Sequence, residues 1–381
     1  MTVEVRPLGV QCNLGCHYCY QNPQRQAGNT GARYDLEAIK AAVESEGGPF
    51  ALFGGEPLLV PLEDLETLWA WGLDRFGSNS IQTNGVLITS EHVELFRRYR
   101  VHVGISVDGP GELNDLRWQG TLERTREGTR RTTSAIELLC ANGIVPSIIA
   151  TLHRRNAAAE HLPRLAAWFR ELDNLGITTA RLHALESESE NVRALYALSE
   201  RENIEAMLFF ARLEAELPRL HFDVFREAEA LLMGDDRTVS CVWRACDPYT
   251  TSAVRGIEGH GQRSNCGRTN KEGIDFVKSD TPGHERALVL QRTPFEAGGC
   301  RGCRFFIFCK GQCPGTAMNG DWRNRSEHCG LWYALFEYIE QTLLARGEVP
   351  LSRLEVRFTA EERLVEGWLR GENRSLHEVL A

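Results

Sequence analysis

The first half of the chain alternates short β-rich runs with helical stretches, and this restricts the fold more than any other feature. Strands are predicted near Val3–Val10, Phe50–Phe53, Ser80–Thr83, Val101–Val107, Val145–Leu152 and Thr179–Leu185. Helices are predicted between them, near Tyr34–Ser45, Leu62–Phe76, Ser90–Arg98, Thr125–Asn142 and Ala157–Leu175. Strand, helix and next strand join by a right-handed crossover into a parallel sheet. Six such units fit an open barrel or a doubly wound sheet, and the alternation alone does not choose.

The remainder has a different texture. Residues 188 to about 235 read as helical, with Leu195, Leu198, Ile204, Leu208 and Phe209 near helical spacing. Past Gly234-Asp235-Asp236, residues 240–330 are rich in Gly, Cys and Arg and poor in long apolar runs. Such a stretch needs another source of stability, and bound metal can supply it. A helix Leu331–Ala345 follows, then a partly helical tail. The expected division is a barrel over 1–187, a helical linker over 188–236, a cysteine-rich domain over 237–345 and a tail over 346–381. The 381-residue length suits two or three domains.

Composition removes several function classes. A net charge of −9 gives no general affinity for nucleic acid or anionic membranes. No run of 18 apolar residues and no secretory signal is present, so a cytoplasmic location, with no membrane partner, is expected. Thiols stay reduced there. The 12 cysteines therefore raise the question of what they ligate.

Cys12, Cys16 and Cys19 have the spacing C-x3-C-x2-C just past the first strand, where α/β proteins place their sites. Three thiolates can hold three irons of a [4Fe–4S] cube and leave the fourth open to a ligand. A zinc site completed by His17 is the simpler alternative. Phe53-Gly54-Gly55-Glu56-Pro57 follows the second strand. Its glycines leave backbone groups open, and its carboxylate could meet a ligand ammonium. Gln82-Thr83-Asn84-Gly85 ends the third strand and Ser106-Val107-Asp108-Gly109-Pro110 the fourth. Each puts small polar groups at a strand's carboxyl end, and each could also be an ordinary turn.

Together these motifs resemble the radical S-adenosylmethionine (SAM) enzymes. Cys12, Cys16, Tyr18 and Cys19 match the C-x3-C-x-aromatic-C signature, and Gly54-Gly55-Glu56-Pro57 matches the run that meets the SAM methionine amine. The resemblance covers roughly residues 3–185. It implies a partial (β/α)6 TIM-like barrel holding a [4Fe–4S] cluster that cleaves SAM to a 5′-deoxyadenosyl radical. By the same resemblance Tyr18 would lie near the adenine, and Ser106 and Asp108 near the ribose and methionine. Thr83 and Asn84 join the expected SAM-binding set.

A second constellation is Cys300-x2-Cys303-x5-Cys309-x3-Cys313-x15-Cys329, with Cys241-x4-Cys246 and Gly261-x4-Cys266 upstream. Eight cysteines could make two structural zinc sites. The layout resembles the SPASM extension of some radical SAM enzymes, a small irregular domain, followed here by C-terminal helices. That implies two auxiliary [4Fe–4S] clusters, three clusters in all. Cys241, Cys246, Cys266 and Cys313 would hold the nearer one, and Cys300, Cys303, Cys309 and Cys329 the outer. Cys140 is left over inside a helical run and reads as an apolar-face residue. Arg301, Arg304 and Lys310 sit among the ligands, where positive charge would raise a cluster's potential or simply keep a surface loop soluble.

The resemblance implies a peptide or protein substrate and an external electron donor such as flavodoxin or ferredoxin. The chain reaches its first cluster motif at Cys12, so a leader-binding domain is expected to be a separate protein or unused. The leading expectation is a ribosomal-peptide maturase giving an oxidised or cross-linked residue. Alternatives are a sulfatase-maturase-like formylglycine-forming oxidase, a small-molecule dehydrogenase and a zinc-binding scaffold. Asp247 and Tyr249 are candidate catalytic groups close to Cys246; Arg181, His183 and Glu186 are others at the sixth strand. His17 and His328 adjoin ligands. Arg268 and Lys271, in the polar run 265–273, are candidates to hold an acidic side chain of a peptide.

Overall fold

A computed structural model of the chain describes residues 3–31, 33–187, 189–251, 254–269 and 283–381. They divide between two compact units. The first takes the described residues of Met1–Glu202, Arg212–Phe222 and Arg255–Phe276, the second those of Asn203–Ala211, Asp223–Val254 and Val277–Ala381.

The first unit is built on one sheet. Its strands are β1 Val3–Arg6, β2 Phe50–Leu52, β3 Asn79–Thr83, β4 Val101–Ser106, β5 Ser147–Leu152, β6 Thr179–Ala184, β7 His221–Phe222, β8 Arg255–Glu258 and β9 Arg263–Ser264. The order is β7-β6-β5-β4-β3-β2-β1-β8-β9, parallel throughout except for the β8–β9 hairpin. All six expected strands are present. β7, β8 and β9 are additions to them, because two to four residues carry too little pattern to read. β8 and β9 come from the stretch read by sequence as cysteine-rich domain; they extend the sheet beside β1.

The connecting helices include Leu36–Glu46, Leu62–Phe76, Ser90–Arg98, Leu122–Ala141 and Leu162–Leu175. Their ends follow local chemistry. The Asp35 side chain accepts from Glu37 N and Ala38 N, and Gly47 closes the same helix in the left-handed region. The helix expected over 157–175 begins at Leu162, where Pro163 suits the first turn, and a four-residue helix Arg154–Ala157 precedes it.

Alternation along the strands gives the sheet two different faces. Val3, Val5, Leu52, Val103, Ile105, Ile148 and Ala180 are buried under the helices. The opposite face carries Gln82, Ser106, Thr151, Arg181 and His183, all half-buried. Ser106 pairs in register with Ile149, Ile149 with Arg181, and Thr151 with His183.

The sheet is curled. Arg268, just past β9, is ion-paired with Glu186, just past β6, although six strands stand between them in the order. A flat sheet would hold those positions roughly 30 Å apart. The result is the partial TIM-like barrel, left open between β7 and β9.

The second unit packs helices Asp223–Leu232, Glu285–Arg292, Cys329–Ala345 and Val356–Leu369 around aromatic side chains. Trp243 meets Trp332 and Phe336 edge-on, each at 5.5 Å, and Phe305 stacks on Phe336 at 5.5 Å. Phe305, Phe306, Ile307 and Phe308 are buried. Residues 240–330 thus do own a core, made of a few large aromatic groups rather than long apolar runs. Among the described residues, no helix is long and apolar enough to cross a membrane.

Candidate functional site

The Cys12–Cys19 loop leaves the carboxyl end of β1 and is held by its backbone. Gly15 N donates to Trp118 O at 2.7 Å, and His17 N to Leu116 O at 2.9 Å. The Gly-Gly loop after β2 lies directly on it: Glu56 N donates to Gln11 O at 2.8 Å. A Cβ added at Gly55 would sit 1.9 Å from Gln11 O, so only glycine fits. The β3 end supplies a third contact, with Asn84 Nδ2 2.7 Å from Asn13 Oδ1 and 3.9 Å from Cys12 Sγ. The Cys12 thiol accepts Leu14 N.

Glu56 is buried, and its carboxylate ties these loops together. It accepts from Leu58 N at 3.0 Å, Thr83 Oγ1 at 2.7 Å and Asn84 N at 2.8 Å. Burial raises its pKa, opposed by those donors. Pro57 opens the short turn that follows. Glu56 therefore joins the ends of β2 and β3 through its own carboxylate, a role not read from the sequence.

Tyr18 and Asp108 sit one layer deeper. The Tyr18 hydroxyl donates to Asp108 Oδ2. Asp108, fully buried, also accepts Thr151 N at 3.0 Å and pairs with Arg117 at 3.2 Å, with His153 Nε2 3.6 Å away. Burial alone would raise its pKa; Arg117, His153 and Tyr18 hold it down at about 2. Asn114 and Asn156 bond its backbone. Ser106 lies on the half-buried face and accepts from Gln82 Nε2 at 2.8 Å.

The structure also brings together His183, Glu186 and Arg268. Arg268 Nη2 donates to Glu186 and lies 3.1 Å from His183 Nδ1. Burial, then Arg268 and Arg181, push the His183 pKa well below its usual range. A guanidinium only donates, so Nδ1 accepts and the neutral ring carries its proton on Nε2. His17 lies against Trp118 and Tyr196. Lys271, with the rest of 270–273, falls outside the described residues.

In the second unit the outer cysteine set is close-knit. Cys300, Cys303 and Cys329 all act electrostatically on Cys309, whose thiol burial pushes well up; Cys300 is raised to about 12 by burial, then by Cys329 and Cys303. Cys241, Cys246 and Cys313 belong to this unit, Cys266 to the first. Asp247 is buried and accepts Tyr249 N at 2.8 Å, Thr250 N at 3.2 Å and Arg286 N at 3.2 Å. Such a carboxylate holds a turn and the start of helix Glu285–Arg292. Tyr249 packs on Trp322. His328 Nε2 lies 3.7 Å from Glu327 Oε1. Cys140 is half-buried in its helix. Arg301 is exposed.

The donor chemistry fits iron–sulfur ligation. Burial raises Cys12 to about 11 and Cys16 further, and Cys19 acts electrostatically on both. Thiols so buried give up their protons only to a strong cationic partner, which a cluster's irons provide. Among the described residues, no three Cys, His, Asp or Glu side chains converge on a point that one metal ion could fill. Sequence reasoning missed Arg117, His153, Asn114 and Asn156. No spacing rule connects them: the turn after β4 folds Asn114 and Arg117 back onto Asp108, and the β4–β5 pairing brings His153 and Asn156 beside it.

Residues 7–166 match the Radical SAM superfamily. The chain is 24% identical over 353 residues to a serine-type anaerobic sulfatase-maturating enzyme of Bacteroides thetaiotaomicron, covering 82% of each. It is 28% identical over 196 residues to a cysteine-type enzyme of Clostridium perfringens, covering 45% of this chain and 49% of that one. A solved structure described as native anSMEcpe with bound AdoMet shares the fold, with a TM-score of 0.69 at 19% identity, covering 91% of this chain and 98% of that one. We conclude that residues 7–166 form a radical SAM domain and that the chain is homologous to the anaerobic sulfatase-maturating enzymes.

Proposed function

We propose that the chain abstracts hydrogen from a residue of a peptide or protein and releases it oxidised or cross-linked. The observation that carries this reading is the convergence of the Cys12–Cys19 loop, the Gly54-Gly55 loop and the Asn84 strand end at one edge of the sheet. Cys12, Cys16 and Cys19 would hold a [4Fe–4S] cluster there. Bound at that loop, the reduced cluster supplies the electron that cleaves SAM to the 5′-deoxyadenosyl radical. The backbone of Gly54 and Gly55 would receive the methionine end of SAM. Ser106, backed by Gln82, would meet the ribose. Tyr18 and Asp108, locked to Arg117, would fix the wall behind it.

Two auxiliary clusters would be held by Cys241, Cys246, Cys266 and Cys313 and by Cys300, Cys303, Cys309 and Cys329. Their place would be to take the electron that the substrate radical gives up. His183, neutral with its proton on Nε2, can donate a hydrogen bond to a peptide carbonyl on the half-buried face.

A second reading, formylglycine formation, is favoured by the alignment over 82% of a serine-type maturase. One experiment separates the two. Anaerobically reconstituted, reduced protein is given SAM and a peptide with a serine or cysteine in a sulfatase-type sequence. 5′-Deoxyadenosine together with an aldehyde-bearing peptide supports formylglycine formation. Release of 5′-deoxyadenosine only with a peptide from the protein's own gene neighbourhood supports the maturase. No 5′-deoxyadenosine under any condition defeats both.

A further inference from the structure

The second unit contains a buried cation that no carboxylate neutralises. Arg286, 1% exposed, makes no ion pair with a carboxylate among the described residues. Its guanidinium is instead spread over main-chain carbonyls: Nε donates to Trp322 O at 2.7 Å, Nη1 to Gln312 O at 2.8 Å, and Nη2 to Gly311 O at 3.0 Å and Asn324 O at 2.9 Å. These bonds satisfy four of its five N–H groups and leave its charge uncompensated. A lone charge so buried is costly unless a counter-charge lies near.

Of the other basic residues near ligand cysteines, Arg304 and Lys310 are paired with carboxylates, whereas Arg325 bonds the Phe295 and Gly299 carbonyls and acts on Cys300. Arg304 pairs with Glu340 at 2.6 Å, and Lys310 with Asp236 at 3.5 Å. Arg286 differs in its neighbours. Two of its acceptors, Gly311 and Gln312, lie in the short loop between Cys309 and Cys313. Cys246 and Cys313 act on it electrostatically, and so do Cys300 and Cys309. The first two belong to one proposed ligand set and the last two to the other.

We infer that Arg286 is a shared counter-cation of the two auxiliary clusters, a positioning residue that raises the potential of both. The inference rests on the two-cluster reading above. Ligated thiolates and reduced clusters carry negative charge, so a guanidinium between the sets stabilises their reduced forms. The carbonyl cradle holds the guanidinium in place without a carboxylate that would cancel its field.

The test uses the full chain carrying Cys12/Cys16/Cys19→Ala, so that only auxiliary iron remains. Arg286→Gln and Arg286→Lys are compared in that background by iron and sulfide content and by redox titration followed by electron paramagnetic resonance. The background protein should hold about 8 irons. Arg286→Gln should shift both potentials to more negative values, and Arg286→Lys should stay near the parent. Unchanged potentials in the glutamine variant, a shift of one cluster only, or a lysine variant shifted as far as the glutamine one, would overturn the inference. If the glutamine variant takes up no iron, uptake by the lysine variant supports a role of charge. Failure of both shows that the cradle alone matters, and the inference falls. A background protein without iron would instead overturn the two-cluster reading itself, and this inference with it.

Discussion

Arg268 and Glu186 close an ion pair across the open side of the curled sheet, with Arg268 Nη2 also 3.1 Å from His183 Nδ1. One guanidinium thus fixes a carboxylate, a ring tautomer and the approach of the segment that carries Cys266.

The pH dependence of stability follows. His183 is held well below its usual range by burial, Arg268 and Arg181. The unfolded chain takes up a proton near pH 6.5 that the folded chain refuses. The folded state therefore keeps its full advantage above that pH and loses it as pH falls toward the lower folded value. Urea midpoints at about pH 7.5 and 5.5 should differ, and His183→Gln should reduce the corresponding stability difference by up to about 1.4 kcal/mol. A difference unchanged by that substitution would contradict the assignment.

Gly55→Ala drives a Cβ to within 1.9 Å of Gln11 O, backbone of the Cys12 loop. The loop must move. Reconstituted protein should lose about 4 irons, those of the first cluster, and retain the rest. Iron analysis beside the Cys12/Cys16/Cys19→Ala protein checks this: the two should match.

Asp108→Asn removes the charge that Arg117, Tyr18 and His153 surround. It leaves a buried guanidinium without its partner, which destabilises by about 3 kcal/mol. In the parent the Asp108 pKa is depressed to about 2. Its contribution is therefore present above the unfolded carboxyl range and lost as pH falls toward 2. Denaturation at neutral and acidic pH should show the two proteins converging in acid.

Asp236 anchors the carboxyl terminus. It accepts Leu376 N at 2.7 Å and His377 N at 3.2 Å, starting helix Leu376–Leu380, and it faces the buried Lys310 amine. Asp236→Ala leaves the Ser375 cap but removes the acceptor of two first-turn N–H groups and strands a cation. The expected cost is about 3 kcal/mol, with cleavage by protease near residue 375 far faster than in the parent. Equal cleavage rates would show that other contacts hold the tail.

Much of this could be read from the chain itself. Strand–helix alternation is written in local periodicity, so six strands and the helices between them were legible to within a few residues. Cys12, Cys16, Cys19 and the Gly54-Gly55-Glu56-Pro57 run lie close in sequence, so their chemistry was visible as motifs. What tertiary structure alone decided are the contacts between distant segments. The short strands join the sheet only because longer ones offer an edge, β6 to β7 and β1 to β8. Asp108 gains Arg117 from the turn after β4 and His153 from the neighbouring strand β5, and Arg268 finds Glu186 and His183 because the sheet curls. Arg286 becomes an uncompensated cation only when the loop 309–324 folds its carbonyls around it. Motifs record which atoms a chain carries to a site. Burial and charge compensation depend on what surrounds those atoms, and the folded chain sets that.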